Sequence, residues 1–376
     1  MATDGNFRRA AHADHLHCQR NAVRYKVTYI DKTPHRWVLL LILLLNGCGT
    51  QQAELHQQQF LLFGTLVDIS IWSADKQKAE HAIAQITTDL EKMHHEWHAW
   101  HDSPLTRLNK ALAAGQPGTV PPSMIPLLQK SIALSNASDG LFNPAIGRLI
   151  NVWGFQQDDV PRNTPPDAAT IQALTTAQPN MQDLALAQDQ LTSRNPHVQL
   201  DFGAIAKGYA VDLAIEKLRA LGIHNAIINA GGNLRAIGKH GDRPWRIGIR
   251  NPRGPGVLAT IEARGDESML TSGDYERFFE YQGKRYHHII DPRTGYPARG
   301  FTSVTVIYPD AATADAASTA LLVAGPQRWR DIAKKMGLQY IMIVDDKGRV
   351  IMTPAMAERV HFELTPAPSV NIVALP

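Results

Sequence analysis

Asp201-Phe202-Gly203-Ala204-Ile205-Ala206-Lys207-Gly208-Tyr209 opens a helix, and the reading of the fold starts there. Ile205, Tyr209, Leu213, Leu218 and Leu221 carry its apolar stripe. A short apolar strand, 226–229, follows and ends at Gly231-Gly232. Further strands are expected at 245–250, 259–263, 275–281 and 303–308. An Ala-rich helix over 311–323, a helical stretch at 327–336 and a strand at 340–344 close the series. Upstream, Phe63-Gly64-Thr65-Leu66-Val67-Asp68-Ile69 reads as a strand. Ala82, Ile83, Ile86, Leu90, Met93 and Trp97 recur at helical spacing, and a second helix is expected from Ser123 through Ile132. Residues 156–195, broken by Pro161, Pro165, Pro166 and Pro179, read as irregular. Helices and strands interleave without a strict βαβ rhythm, which favours an α+β fold.

The chain has 376 residues, of which 44% are hydrophobic and 19% charged. That suffices for a sizeable core, in one large domain or two intimate ones. Its first 47 residues differ from the rest: seven Lys/Arg stand against Asp4, Asp14 and Asp31. The remainder holds 31 basic and 32 acidic residues, so the folded part is nearly neutral and basicity gives no argument for nucleic-acid binding. The apolar run Trp37 to Leu45 is too short for a bilayer, which needs about 20 residues. Following Lys32, His35 and Arg36, it reads as the core of an export signal, with a translation start placed too far upstream accounting for the long leader. Leu45-Asn46-Gly47-Cys48 resembles a bacterial lipobox, although Asn46 departs from the usual small or apolar residue. The expected organisation is a signal peptide over 1–47, a lipidated tether over 48–59 starting at Cys48, a folded domain over 60–365 and a tail over 366–376. Cys18 and Cys48 are the only cysteines, so the mature chain would keep one, carrying lipid. That leaves no disulfide, zinc-thiolate or redox-thiol site.

Neither a P-loop nor a G-x-G-x-x-G turn is present. In Met93-His94-His95-Glu96-Trp97-His98-Ala99-Trp100-His101, His94 and His98 are four apart, but Glu96 is not placed as in a zincin, so a solvated helix end is expected. Asp315 and Thr319 share one helical face beside small alanines. A carboxylate and a hydroxyl suit Mg²⁺, which takes its other ligands from substrate phosphates, but surface Asp/Thr pairs at this spacing are common. His287-His288-Ile289-Ile290-Asp291-Pro292-Arg293-Thr294-Gly295-Tyr296-Pro297 reads either as a hydrogen-bonded turn or as a loop presenting a base. In the Asp201 stretch, Gly203 and Ala204 allow close backbone approach at a helix start that favours anions, and Lys207 either reaches a phosphate or lies in solvent.

Taken in order, these stretches resemble the ApbE family, the FAD:protein FMN transferases. The resemblance runs from about Phe63 to about Gly325. It includes Thr65, Ser103-Pro104-Leu105-Thr106-Arg107-Leu108-Asn109, Gly140-Leu141-Phe142-Asn143-Pro144 and Val152-Trp153-Gly154-Phe155. It continues through 201–212, Asn229-Ala230-Gly231-Gly232-Asn233, Thr271-Ser272-Gly273-Asp274-Tyr275, the His288 loop and the Asp315 helix. The resemblance implies a single compact unit of mixed sheets flanked by helices, with a flavin nucleotide cleft. It implies Mg²⁺ (or Mn²⁺) on Asp315, Thr319 and the Ala204 carbonyl, with Ser318 a weaker candidate. It implies flavin contacts at Phe63, Trp100, Leu141, Phe142, Asn143, Asp201, Lys207 and Ile289, and a catalytic His288. Asn143 stands where the family commonly has Asp, and Phe63 and Trp100 where Met and Tyr are frequent. The implied reaction cleaves FAD, moves FMN onto a Thr or Ser hydroxyl of an acceptor flavoprotein and releases AMP. Acceptors would be flavin-bearing subunits of NQR- and RNF-type complexes, met on the periplasmic face of the inner membrane through the lipid anchor. Two rivals use the same site: a pyrophosphatase with water as nucleophile, and an exported lipoprotein that only binds FAD.

Overall fold

The computed structural model describes residues 52–157 and 162–376; the export segment and Cys48 lie outside them. The frame is a nine-stranded sheet whose spatial order follows the sequence. Its strands are β1 (Glu54–Leu62), β2 (Thr65–Ser73), β3 (Ala226–Ala230), β4 (Asn233–Ile237), β5 (Glu267–Gly273), β6 (Phe301–Tyr308), β7 (Tyr340–Asp345), β8 (Val350–Met352) and β9 (Val370–Ile372). Neighbours are antiparallel up to β8, and β9 joins β8 in parallel. Mixed sheets with helices bear out the α+β expectation.

Both faces of the sheet are covered, so the central strands read as continuous apolar runs rather than alternating ones. Ile69, Ile228, Leu270, Val306 and Ile343 face the main core, with helices α1 (Lys76–Glu96), α2 (Ala206–Ala220) and α3 (Ala311–Lys335). Their sequence neighbours Met269, Ile307 and Met342 face a second core. That core is closed by a small sheet of Arg246–Arg250, Val257–Glu262 and His361–Phe362. The α1 and α3 starts are capped by the carboxylates of Asp75 and Asp310. The two helical stretches expected around residues 311 and 327 form one run, kinked where Gly325 leaves helical geometry ahead of Pro326.

Two expected boundaries are corrected. Residues 54–59, read as tether, belong to β1, which pairs with β2 from Glu54 to Leu62. The Gln-rich strand lies at the sheet edge and buries little, so its backbone hydrogen bonds carry the pairing and no apolar period marks it. The tail over 366–376 likewise supplies β9. The irregular stretch holds a short helix at Ala168–Thr176 and a hairpin of Leu184–Ala187 with Gln190–Ser193.

Candidate active site

The site forms where α2 crosses α3. Gly208 makes the crossing possible: a Cβ there would lie 2.4 Å from the Ala311 carbonyl oxygen and 2.9 Å from the Asp315 Cβ. At this distance the Gly208 N–H donates to Asp315 Oδ2 (3.0 Å), and Asn233 Nδ2 donates to the same oxygen (3.2 Å). Asp315 Oδ1 receives no hydrogen bond from the described residues. Asp315 is buried, and desolvation holds its carboxyl above the usual range against the opposing pull of Lys207 and the two hydrogen bonds. A buried carboxylate with one oxygen unbonded and no strong ion pair suits a divalent cation. One turn on, Thr319 Oγ1 lies 3.1 Å from Ser272 Oγ. Asp315 and Thr319 stand one helical turn apart on α3. Ala204 sits half-buried in the turn before α2, whose N-cap Ile205 has no side-chain cap; the Gly208 N–H of the first turn is taken by the Asp315 carboxylate.

A second cluster carries His288. Trp153, Phe279 and Tyr286 stack beneath the hairpin of Phe278–Tyr281 and Lys284–His287. Trp153 Nε1 donates to the Gly295 carbonyl (2.7 Å), tying the following loop down. His287 Nε2 meets the Ala298 carbonyl (2.8 Å) and its Nδ1 accepts from Ile289 N–H, so His287 is the structural histidine of the pair. Burial pushes it down to about 4. His288 Nδ1 faces the Arg277 carbonyl at 3.3 Å; a carbonyl only accepts, so Nδ1 carries the proton and Nε2 the lone pair. Desolvation first, then His287, Lys207 and Arg277, push His288 down to about 3. The Lys207 ammonium donates to the Gly203 carbonyl (3.3 Å) and acts electrostatically on both His288 and Asp315.

Beside them opens a cleft of about 720 Å³ lined by Trp100, Asp102, Lys110, Arg148, Gln156 and Gln199, among others. Gln156 joins it to Asp201, whose other oxygen accepts from Gly203 N–H (2.8 Å). The Arg277 guanidinium lies 5.9 Å from the Trp100 ring, linking cleft and His288 strand. The cleft wall lacks Asp315, Lys207 and His288; Gln156 connects it to the Asp201 stretch ahead of Lys207, and Arg277 to His288. Phe63 forms the β1–β2 turn with Gly64, both at positive φ, and its ring packs against His94 and Trp97. Leu141, Phe142 and Ile289 are not on the cleft wall: their side chains are buried in the main core. Asn143 donates its amide to the Pro179 carbonyl and accepts from the Ala145 N–H, which fixes the turn. Among the described residues no group of three or more His, Cys, Asp and Glu could hold a metal, the His-rich helix end included.

Gly208, Asn233, Ser272 and Gln156 had no role in the sequence reading. Gly208 left one usable signal, a glycine inside a helix, which costs about 1 kcal/mol relative to Ala and so implies a packing reason.

A buried carboxylate, a hydroxyl one turn on, an ammonium group and an imidazole are the equipment of an enzyme. The particular family follows from comparison: the chain belongs to the ApbE family, whose model matches residues 63–342. The FAD:protein FMN transferase of Rhodobacter capsulatus is 43% identical over 304 residues, 81% of this chain; the chain spans 58% of that relative's length. The FAD:protein FMN transferase of Treponema pallidum is 34% identical over 347 residues, covering 86% of this chain and 94% of the relative. The ApbE protein of Thermotoga maritima superposes with a TM-score of 0.73 at 31% identity, over 81% of this chain and 99% of its own. The flavinyl transferase ApbE of Pseudomonas stutzeri gives 0.72 at 32% identity, over 82% and 97%.

Proposed function

We propose that this chain transfers the FMN half of FAD onto a Thr or Ser hydroxyl of an acceptor flavoprotein, in a Mg²⁺-dependent reaction that releases AMP. The observation that carries it is the buried Asp315, presented at the α2–α3 crossing with Lys207 and His288 around it. Asp315, Thr319 and the Ala204 carbonyl are the residues to hold Mg²⁺, with Mn²⁺ an alternative of similar ligand taste. Those residues would hold the cation, whose chemistry there would be positive charge set against the charge that develops on the diphosphate oxygens.

The chain's own groups do the rest. Lys207 supplies positive charge for the diphosphate. His288, neutral at pH 7, offers Nε2 to the acceptor hydroxyl while the Arg277 carbonyl holds its tautomer. The negative diphosphate beside it would move the imidazole's affinity for a proton back up. The hydroxyl oxygen bonds to the FMN-side phosphorus, the bond from that phosphorus to the oxygen of AMP breaks, and the proton passes to Nε2. Trp100 offers an aromatic face at the cleft for an isoalloxazine ring. The Leu45–Cys48 stretch supports a lipid anchor on the periplasmic face of the inner membrane, beside acceptors such as NQR- and RNF-type subunits. The mature protein incubated with FAD, Mg²⁺ and host membranes should yield a fluorescent band on a denaturing gel and an acceptor heavier by FMN. AMP without an adduct would mean hydrolysis, and intact FAD would mean a binding protein; either refutes transfer.

A further inference from the structure

We infer that Ser272 is a positioning residue that turns the lone pairs of Thr319 toward the cation; this rests on the metal reading of Asp315 and Thr319. Three hydroxyls meet between β5 and α3, and each has one proton to give. Ser318 Oγ lies 3.0 Å from the Asp315 main-chain carbonyl, which can only accept, and we take the Ser318 proton to be directed there. Ser318 Oγ also lies 2.8 Å from Ser272 Oγ. With Ser318's proton spent, Ser272 must donate in that bond. Ser272 Oγ lies 3.1 Å from Thr319 Oγ1, and with Ser272's proton spent as well, Thr319 must donate to it. The direction of the whole chain thus follows from the Ser318 proton going to that carbonyl.

Two consequences follow. The Thr319 hydrogen points at Ser272, which leaves its oxygen lone pairs for a cation. Ser318, fully buried, both donates and accepts inside the chain, so it is not a ligand although it neighbours Thr319 in sequence. The arrangement is a hydroxyl counterpart of the groups that orient metal-binding histidines from behind, whose loss costs about 10- to 100-fold in metal affinity.

The test is Mn²⁺ binding to the isolated full chain, read by electron paramagnetic resonance of free Mn²⁺, with the cation-induced rise in melting temperature as a second readout. Ser272→Ala should bind Mn²⁺ about tenfold more weakly or worse, and Ser272→Thr, which keeps the hydroxyl, should recover most of it. Circular dichroism melts in the absence of cation identify any variant that is simply misfolded, and the comparison of Ala with Thr then stands on the folded protein. Wild-type affinity in a folded Ser272→Ala overturns the inference and leaves the metal reading intact. Absence of Mn²⁺ binding by the wild type overturns the metal reading, and the inference with it.

Discussion

Gly208→Ala sets two effects against each other, and the geometry decides between them. Alanine is the better helix former by about 1 kcal/mol, so an exposed Gly→Ala change inside α2 would stabilise. Here the new methyl would stand 2.4 Å from the Ala311 carbonyl oxygen, 2.7 Å from its carbon and 2.9 Å from the Asp315 Cβ. Ordinary contact begins near 3.4 Å, so α2 and α3 must part by about 1 Å. Two of those three atoms are backbone and cannot swing aside. Overpacking costs about 1–3 kcal/mol, and backbone obstruction puts this case at the upper end, for a net loss of about 2 kcal/mol. In scanning calorimetry the melting temperature should fall by about 4 °C, the low end of what such a loss produces because the folded chain is large. Parting the helices also draws Gly208 N–H away from Asp315 Oδ2, now 3.0 Å distant, and shifts the carboxylate relative to Lys207 and His288. A displacement of about 1 Å can cost about 100-fold in rate, so Mg²⁺-dependent AMP release from FAD should drop by about two orders of magnitude. A variant with an unchanged melting temperature and full AMP release would show that the crossing does not depend on the missing Cβ.

Asp212 accepts from Ala311 N–H and Arg235 through Oδ1 and from Ala312 N–H through Oδ2; in Asp212→Asn one of these donors would face an amide NH₂. Urea denaturation should show a loss of about 3 kcal/mol, the low end for a broken buried pair because Asp266 still holds Arg235. The pH dependence follows from the two histidines. Folded His287 is pushed from the ordinary 6.5 down to about 4, and His288 to about 3, so the unfolded chain binds more protons between those values and 6.5. Their contribution is therefore fully present above pH 6.5 and is lost as acid is added; at pH 5 His287 alone withdraws about 2 kcal/mol, and the urea midpoint should fall accordingly between pH 7 and 5. A flat profile would contradict the buried, neutral His287. Asp315 has the opposite sign: burial raises its carboxyl, so ionisation costs stability above the ordinary carboxylate range. Asp315→Asn should leave the cation-free protein as stable as the wild type, or more so, while lowering AMP release at least 100-fold; a clear destabilisation without cation would mark Asp315 as structural.

The parts legible in sequence were those written in local patterns. The amphipathic spacing of Ala82 to Leu90 gave α1, and the Asp315–Thr319 spacing placed two ligand types on one face. The Pro and Gly of the His288 loop marked a turn. What stayed hidden travels through space. Gly208 and Asp315 are 107 positions apart, and Asn233 and Asp315 are 82 apart; no periodicity connects them. The same holds for β1 and β9, polar edge strands whose pairing is made by backbone and leaves little trace in the side chains. The resemblance assigned Leu141, Phe142 and Asn143 to flavin contact. Two are in the core and the third is spent on its own turn. A motif records that a stretch matters and does not say whether it touches the ligand or holds up what does. Asp315 shows how the two roles separate physically. A residue kept for the fold should have its polar atoms satisfied by the fold, as Asn143 does. Asp315 keeps one carboxylate oxygen without a hydrogen bond from the described residues although burial makes its charge costly, which leaves that oxygen available to a ligand.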